Sequence, residues 1–142
     1  AMAEVIARSM NNNGLPTELK SVEQTKTDDL LAADAIVIGS PTYYGQMAPQ
    51  IMQLFTDSVS KHGQLTGKVG GAFASSANIG GGNETTIMGI LQAMLIHGMI
   101  IPGEAVGDHY GPVSINKPDQ RVENQCVKAG KKIAELTRKL FK

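Results

Sequence analysis

The stretch AIVIGSPTYYGQM, residues 35–47, decides how this chain is read. Its first half, AIVIGSPT, is β-branched and apolar on both faces rather than alternating. A strand with one wetted face alternates polar and apolar residues. One that is apolar on both faces is a parallel strand buried between two layers. Its second half, GSPTYYGQM, leaves that strand as a polar, glycine-containing loop. The same unit recurs downstream, where KVGGAFASS (68–76) runs into SSANIGGGNE (75–84).

Outward from these two units the pattern alternates strand with helix. Met2, Val5, Ile6 and Met10 fall on one face of a helix that ends in NNNG (11–14), residues tolerant of left-handed backbone. PTELKSV (16–22) alternates weakly and predicts a short, half-exposed strand, followed by a brief helix over 27–34. GQMAPQIMQLFTDSVSKHG (45–63) predicts a helix with Pro49 in its first turn and Ile51, Phe55 and Val59 four apart. An apolar helix is expected over 83–97 with Gly98 as its cap. GMIIPGEA (98–105) and GPVSI (111–115) read as two halves of a last strand interrupted by VGDHY (106–110). Val122, Cys126, Ala129, Ile133, Leu136 and Leu140 step by 4, 3, 4, 3, 4 along an amphipathic helix. Without internal repeats or low-complexity linkers, this predicts one α/β domain over 1–142, a parallel sheet with helices on both faces. Ligands of such sheets bind beyond the carboxyl ends of the strands.

Charge narrows the function classes. Lys plus Arg balance Asp plus Glu at 13 each, and no charge runs occur, so neither nucleic acid nor an anionic membrane is an expected partner. Neither a membrane-length apolar run nor a signal peptide is read in the sequence, which makes a cytoplasmic location the expectation. Cys126 stands alone and reads as a packed small hydrophobe. Ala1 ahead of Met2 reads as a residue left by an expression tag.

Sixteen glycines against six aromatics are the unusual feature, and many of those glycines lie in the two loops. Gly45 and Gly80 to Gly82 let backbone N–H groups approach a flat, polar-edged heteroaromatic ligand. Tyr43 and Tyr44 offer stacking faces, and Ser75, Ser76 and Asn78 offer polar groups. A lone glycine triplet is more often a flexible turn. Two such loops after consecutive parallel strands lie side by side and favour a shared cleft. His62 and His109 have no metal-ligand spacing and read as solvated loop residues, with no metal expected. His97, at a helix C-terminus that favours a cation, reads equally as a ligand contact or as a capping or interface residue.

These loops resemble those of the flavodoxin-fold FMN proteins, in particular the NAD(P)H:quinone oxidoreductases once called tryptophan-repressor-binding proteins. GSPTYYGQM resembles the family's P-T-x-F/Y-G-x-M flavin loop and SSANIGGGNETT its S-S-x-x-x-G-G-G-Q-E loop; HGM (97–99) with IIP (100–102) resembles the end of its fourth helix and the next strand. The resemblance implies a flavodoxin-like three-layer sandwich with FMN as cofactor, NAD(P)H and a small quinone-like acceptor as partners, and a homodimer or homotetramer. It implies flavin contacts from Pro41, Thr42, Tyr43, Tyr44 and Gly45, from Ser76, Ala77, Asn78, Ile79, Gly80, Gly81 and Gly82, and from His97. Tyr110 and Gly111 match a Y-G pair near the family's active site; Tyr110 also reads as a gap-filler beside the last strand. The apolar residues of 83–97, spread beyond one stripe, add to the expectation of a homo-oligomer.

Three departures from the pattern stand out. SKHGQLTGK (60–68) is short and lacks an aromatic residue, and Asn83 replaces the usual Gln. The helix at 2–10 has no strand or phosphate loop ahead of it, through a natural truncation or a mis-assigned start. That predicts a sheet without its usual first strand and FMN binding that is weak or lost. No side chain stands out as an acid or base, which suits chemistry done by a cofactor. The competing readings are a flavodoxin-type electron carrier, disfavoured by the neutral charge, and a flavin-free domain that acts by association.

Overall fold

The computed structural model describes Ala1–Lys142. Its elements run α1 (Met2–Asn12), α2 (Thr27–Ala32), β1 (Ala35–Pro41), α3 (Pro49–Asp57), β2 (Val69–Ser76), α4 (Asn83–Ile96), β3 (Val113–Ile115) and α5 (Gln120–Leu140). Short 3-10 turns at Val22–Gln24 and Ser58–Lys61 complete the chain. The three strands form one sheet in the order β1-β2-β3, with both pairs parallel.

Helices cover both faces, so the expectation of a sheet buried on two sides is met. On one face α1 and α5 pack with Val69, Cys126 and Ile133 in a core that includes Met2, Ile6 and Met10. Gly130 sets the closeness of those two helices, because a Cβ there would stand 2.7 Å from the Ile6 carbonyl oxygen. Ser9 ties them by donating to the Val127 carbonyl at 2.7 Å. On the other face α3 and α4 supply Ile51, Leu54, Ile87, Ile90 and Met94, which pack on Ile36, Ile38, Ala72 and Ala74. Cys126 is fully buried, and burial raises its thiol pKa to about 11, consistent with its reading as a small hydrophobe.

The last strand is split as expected. Ile100 bridges Val69 in parallel, its carbonyl accepting from Gly70 at 2.9 Å, and β3 resumes the pairing at Ala74–Ser76. The intervening loop is clamped to α5: Glu104 meets Lys132 at 2.6 Å and Lys128 at 3.0 Å, and Asp108 meets Arg121 at 2.8 Å. Hydrogen bonds from Lys132 and from the Val106 amide hold the Glu104 carboxyl down at about 2. Residues 83–96 form the expected apolar helix, and Gly98, at φ +78°, closes its end with N–H bonds from Gly98 to Leu95 and from Met99 to Met94.

One element departs from expectation. PTELKSV (16–22) contains no strand; it is irregular until the turn at Val22. No backbone hydrogen bond joins it to β1, and a strand exists only through such bonds. Two overlapping cavities, about 470 and 430 Å³, lie between the two. The sheet is thus three strands wide, with the outer edge of β1 unpaired.

Candidate functional site

Both glycine loops leave the carboxyl ends of adjacent parallel strands, and the structure packs them against each other. The first is a tight turn. Tyr43 and Gln46 exchange two backbone hydrogen bonds of 2.9 Å, with Tyr44 (φ 50°) and Gly45 (φ 76°) between them. Positive φ at both central residues is the type I′ geometry. Glycine adopts it freely, whereas a tyrosine does so only at a cost, of order 1–3 kcal/mol at such positions. The Tyr44 ring is held fully in solvent as a result. Buried Ser40 closes the base of this loop, accepting from the Ala48 amide at 2.8 Å and donating to the Pro41 carbonyl at 2.7 Å.

The second loop is built on Ser76, whose hydroxyl donates to the Asn78 carbonyl at 3.0 Å and accepts from Asn83 at 3.0 Å. Gly80 (φ +67°) and Gly82 (φ +91°) turn the chain into α4, with Gly82 as its N-cap. Asn116, itself at φ 57°, fastens the loop from β3: its amide donates to the Ser76 carbonyl at 2.9 Å and its side chain to the Ala77 carbonyl at 3.2 Å.

The loops meet glycine to glycine. A Cβ on Gly82 would stand 2.6 Å from the Gly45 Cα. Thr85 donates its hydroxyl toward the carbonyls of Gly45 and Gly82, at 2.8 and 2.9 Å, and Thr86 bonds the Thr42 hydroxyl at 3.1 Å. Pro41, Thr42, Tyr43, Tyr44 and Gly45 are therefore brought beside Ser76, Ala77, Asn78, Ile79, Gly80, Gly81 and Gly82 in one rim. The threonine staples and the Asn116 and Ser40 anchors were not singled out from sequence. The only signal for the staples was the Thr-Thr pair that follows the glycines after Asn83 and Glu84.

This rim presents bare backbone donors to open space. The backbone N–H groups of Tyr44, Gly45, Asn78, Ile79 and Gly80 have no partner in the protein. A Cβ on Gly80 would meet nothing within 4 Å, so bare backbone faces open space. Unpaired donors beside exposed aromatic faces match a flat ring edged with acceptors.

His97 lies elsewhere. It ends α4, 14 residues and about 20 Å along the helix axis from the loop that starts it. The structure therefore does not bring His97 to the loops of its own chain: α4 spans the sheet, and its two ends lie at opposite edges. His97 Nε2 is 2.8 Å from the buried Ser58 hydroxyl, which itself donates to the Phe55 carbonyl. The His97 Nδ1 is buried without a partner. Burial, then the nearby His62 ring at 5.9 Å, pushes the His97 pKa down, outweighing any attraction of the helix C-terminus for a cation. His62 is exposed but packs beside His97, closer than its sequence position suggested. His109 is exposed, its Nδ1 2.7 Å from the Glu104 carbonyl. Tyr110 and Gly111 are not at the rim either; they line a small cavity with Ile6, Gly71 and Ile133, on the α1/α5 side. No helix is long and apolar enough to cross a membrane.

Comparison with known proteins identifies the family and the fold. The model of the NADPH-dependent FMN reductase family matches residues 3–112. A flavodoxin of Aquifex aeolicus is 34% identical, over 94% of this chain and 77% of its own. An NAD(P)H dehydrogenase (quinone) of Archaeoglobus fulgidus is 33% identical, over 97% of this chain and 77% of its own. Among solved structures, a flavodoxin from the domain Archaea superposes with a TM-score of 0.79 at 27% identity, over 96% of this chain and 88% of that one. A flavodoxin, WrbA-like protein from Agrobacterium tumefaciens shares the fold, with a TM-score of 0.75 at 24% identity. The two stapled loops at the carboxyl edge of a parallel sheet, with these likenesses, place the chain in the NADPH-dependent FMN reductase family on a flavodoxin-like fold.

Proposed function

We propose that this protein is an FMN-dependent reductase that takes electrons from NAD(P)H and passes them to small quinone-like acceptors. The observation that carries the reading is the contact between Gly45 and Gly82, stapled by Thr85, which fixes two flavin-type loops into one rim of unpaired N–H donors. The relatives' names point the same way. FMN, when bound, supplies the two-electron chemistry. The protein's part is to hold the ring with the amides of Tyr44, Gly45 and Asn78 to Gly80, and to offer the Tyr43 and Tyr44 faces to whatever stacks there. Within these 142 residues the loops supply contacts to the ring. Hydrogen bonds from the five neutral amides contribute about 0.5–1.5 kcal/mol each and stacking on the two tyrosines about as much per ring, together about 3.5–10.5 kcal/mol, a range that includes a micromolar Kd.

A homo-oligomer is part of this reading. Most of the apolar residues of α4 are consumed by the core, but Leu95 and Ile96 stay 55% and 72% exposed. The Ser58–His97 bond puts Val59, 72% exposed, at the same end. Light scattering at micromolar concentration tests it, and a monomer overturns it.

The test of function is a titration of FMN followed by quenching of its fluorescence, then NADH and NADPH oxidation with a benzoquinone acceptor. Flavin-dependent oxidation of either nucleotide by the quinone is expected. Failure to bind FMN at 100 μM protein, about a hundredfold above a micromolar Kd, would favour a flavin-free domain instead. Flavin binding without nucleotide oxidation would favour an electron carrier, a reading that the balanced charge of 13 against 13 disfavours.

A further inference from the structure

The last strand is interrupted between Ile100 and Val113, and the interruption leaves backbone groups of β2 without partners. Successive residues of a strand turn their N–H and C=O groups to opposite neighbours. Val69 donates to the Asp34 carbonyl on the β1 side, and Gly70 to the Ile100 carbonyl on the other side. Ala72 and Ala74 therefore face the last strand as Gly70 does. Ala74 is served there, donating to the Pro112 carbonyl at 3.1 Å. Ala72 is not: no backbone bond joins its N–H or its carbonyl to any residue of 100–112.

Two prolines account for the break. In a parallel ladder, a residue whose N–H bonds one neighbour's carbonyl accepts from the N–H two positions further along that neighbour. The donor for the Gly70 carbonyl would thus be residue 102, and that for the Ala72 carbonyl residue 112. Both are proline and have no N–H to give. The Glu104 amide, which would carry the ladder on, donates instead to the His109 carbonyl at 3.2 Å. Gly111 covers the Ala72 carbonyl so closely that a Cβ there would overlap its oxygen. What remains is the Gly70 carbonyl and the Ala72 N–H, consecutive on one strand edge, with Ala72 only 3% exposed.

Both residues line a cavity of about 40 Å³ beneath the loop. The polar side chains around it are committed elsewhere. Gln125 accepts from the Asp108 amide at 3.2 Å, Asp108 pairs with Arg121, and Lys132 bonds the Gly103 carbonyl and Glu104. The carboxylates are thereby matched by cations, so the cavity offers no net charge to a metal ion. An anion would find a single N–H beside a carbonyl. The fitting occupant is neutral, accepts one bond and donates another, and is small. A water molecule needs about 10–15 Å³ of such space, so the cavity has room for two or three.

We propose that this gap is a site for two or three ordered water molecules. The innermost accepts from the Ala72 N–H and donates to the Gly70 carbonyl, standing in for the rung that the prolines remove. Water bridging of this kind is nearly as favourable as a direct bond. It lets the loop carrying Tyr110 leave the sheet for its clamp on α5 without stranding buried backbone.

The test is water-selective NOE and ROE spectroscopy on the whole protein labelled with nitrogen-15. The Ala72 amide should exchange slowly with solvent and still show a cross peak to water whose NOE and ROE differ in sign, the mark of a bound water rather than of hydrogen exchange. The Gly70 amide, bonded to Ile100, should show none. Pro102→Ala supplies an N–H where the Gly70 carbonyl lacks a donor, and loss of the Ala72 cross peak is expected. A slowly exchanging Ala72 amide without a water cross peak in the unaltered protein overturns the proposal. So does a scalar coupling across a hydrogen bond from that amide to the Pro102 or Tyr110 carbonyl, because the chain then closes the rung itself. A cross peak that persists in Pro102→Ala overturns the bridge to Gly70. No flavin enters the measurement, so its outcome is independent of the reductase reading.

Discussion

Gly82→Ala probes the junction on which the site depends. Two costs act on it. At φ +91° an alanine is in left-handed backbone, worth roughly 1–2 kcal/mol. Its Cβ would also stand 2.6 Å from the Gly45 Cα, a backbone atom that cannot rotate away. Relieving that contact pushes the two loops apart, and overpacking of this kind costs about 1–3 kcal/mol. The expected loss is therefore about 2–5 kcal/mol in urea unfolding. Gly80→Ala separates the two costs. Its φ of +67° carries the same strain, but its Cβ meets nothing within 4 Å, so it should lose only about 1–2 kcal/mol. FMN titration of the same variants should show Gly82→Ala weakened by at least about tenfold relative to Gly80→Ala, since ~1.4 kcal/mol is a factor of ten. If the two variants unfold within about 0.5 kcal/mol of each other and bind FMN alike, the loops do not depend on each other, and the reasoning is refuted.

Gly81→Val should weaken FMN more than His97→Ala does, because the new Cβ would stand 2.7 Å from the Asn78 carbonyl while His97 is a helix length away; equal affinities would remove the second loop from the site. Glu104, with its pKa lowered from 4.5 to about 2, stabilises the fold fully above about pH 4.5 and loses that contribution as pH falls toward 2. Glu104→Gln should therefore flatten the acid limb of stability against pH, and an unchanged limb would show that the Lys128 and Lys132 contacts do not matter in solution. Asp119 accepts from the Val122 amide at 2.9 Å as the N-cap of α5. Asp119→Ala should cost about 1 kcal/mol, a drop in Tm of about 3 °C by scanning calorimetry.

What the sequence showed most clearly was whatever one chain segment decides alone. β1 and β2 were readable because apolar residues on both faces leave no other placement. α5 was readable because its apolar residues keep one stripe through six turns, and α4 because Gly98 ends it where only a left-handed residue fits. The segment 16–22 was misread because a strand is a property of two partners. Its weak alternation describes the face it would present, but no hydrogen-bonded neighbour is there to make it a strand.

The site divides along the same line. The glycines of both loops were legible, since positive φ and bare backbone leave their mark in residue type, and the tyrosines of the first loop by their aromatic faces. The anchors were not: Ser40, Asn116 and the threonine pair act on residues up to 44 positions away, at distances no local pattern records. The placement of His97 escaped the sequence for a third reason. A motif carries a residue's neighbours in sequence, whereas a helix of 14 residues carries its two ends to opposite edges of the sheet. If the flavin lies at the rim as proposed, a histidine just past the C-terminus of α4 would reach only the flavin of another copy of the chain. Its own surroundings, the Ser58 hydroxyl and a buried unpartnered Nδ1, show instead a neutral ring held by burial. Holding it neutral makes the fold more stable as pH rises through the usual histidine range, because the unfolded chain takes up the proton that the buried ring resists.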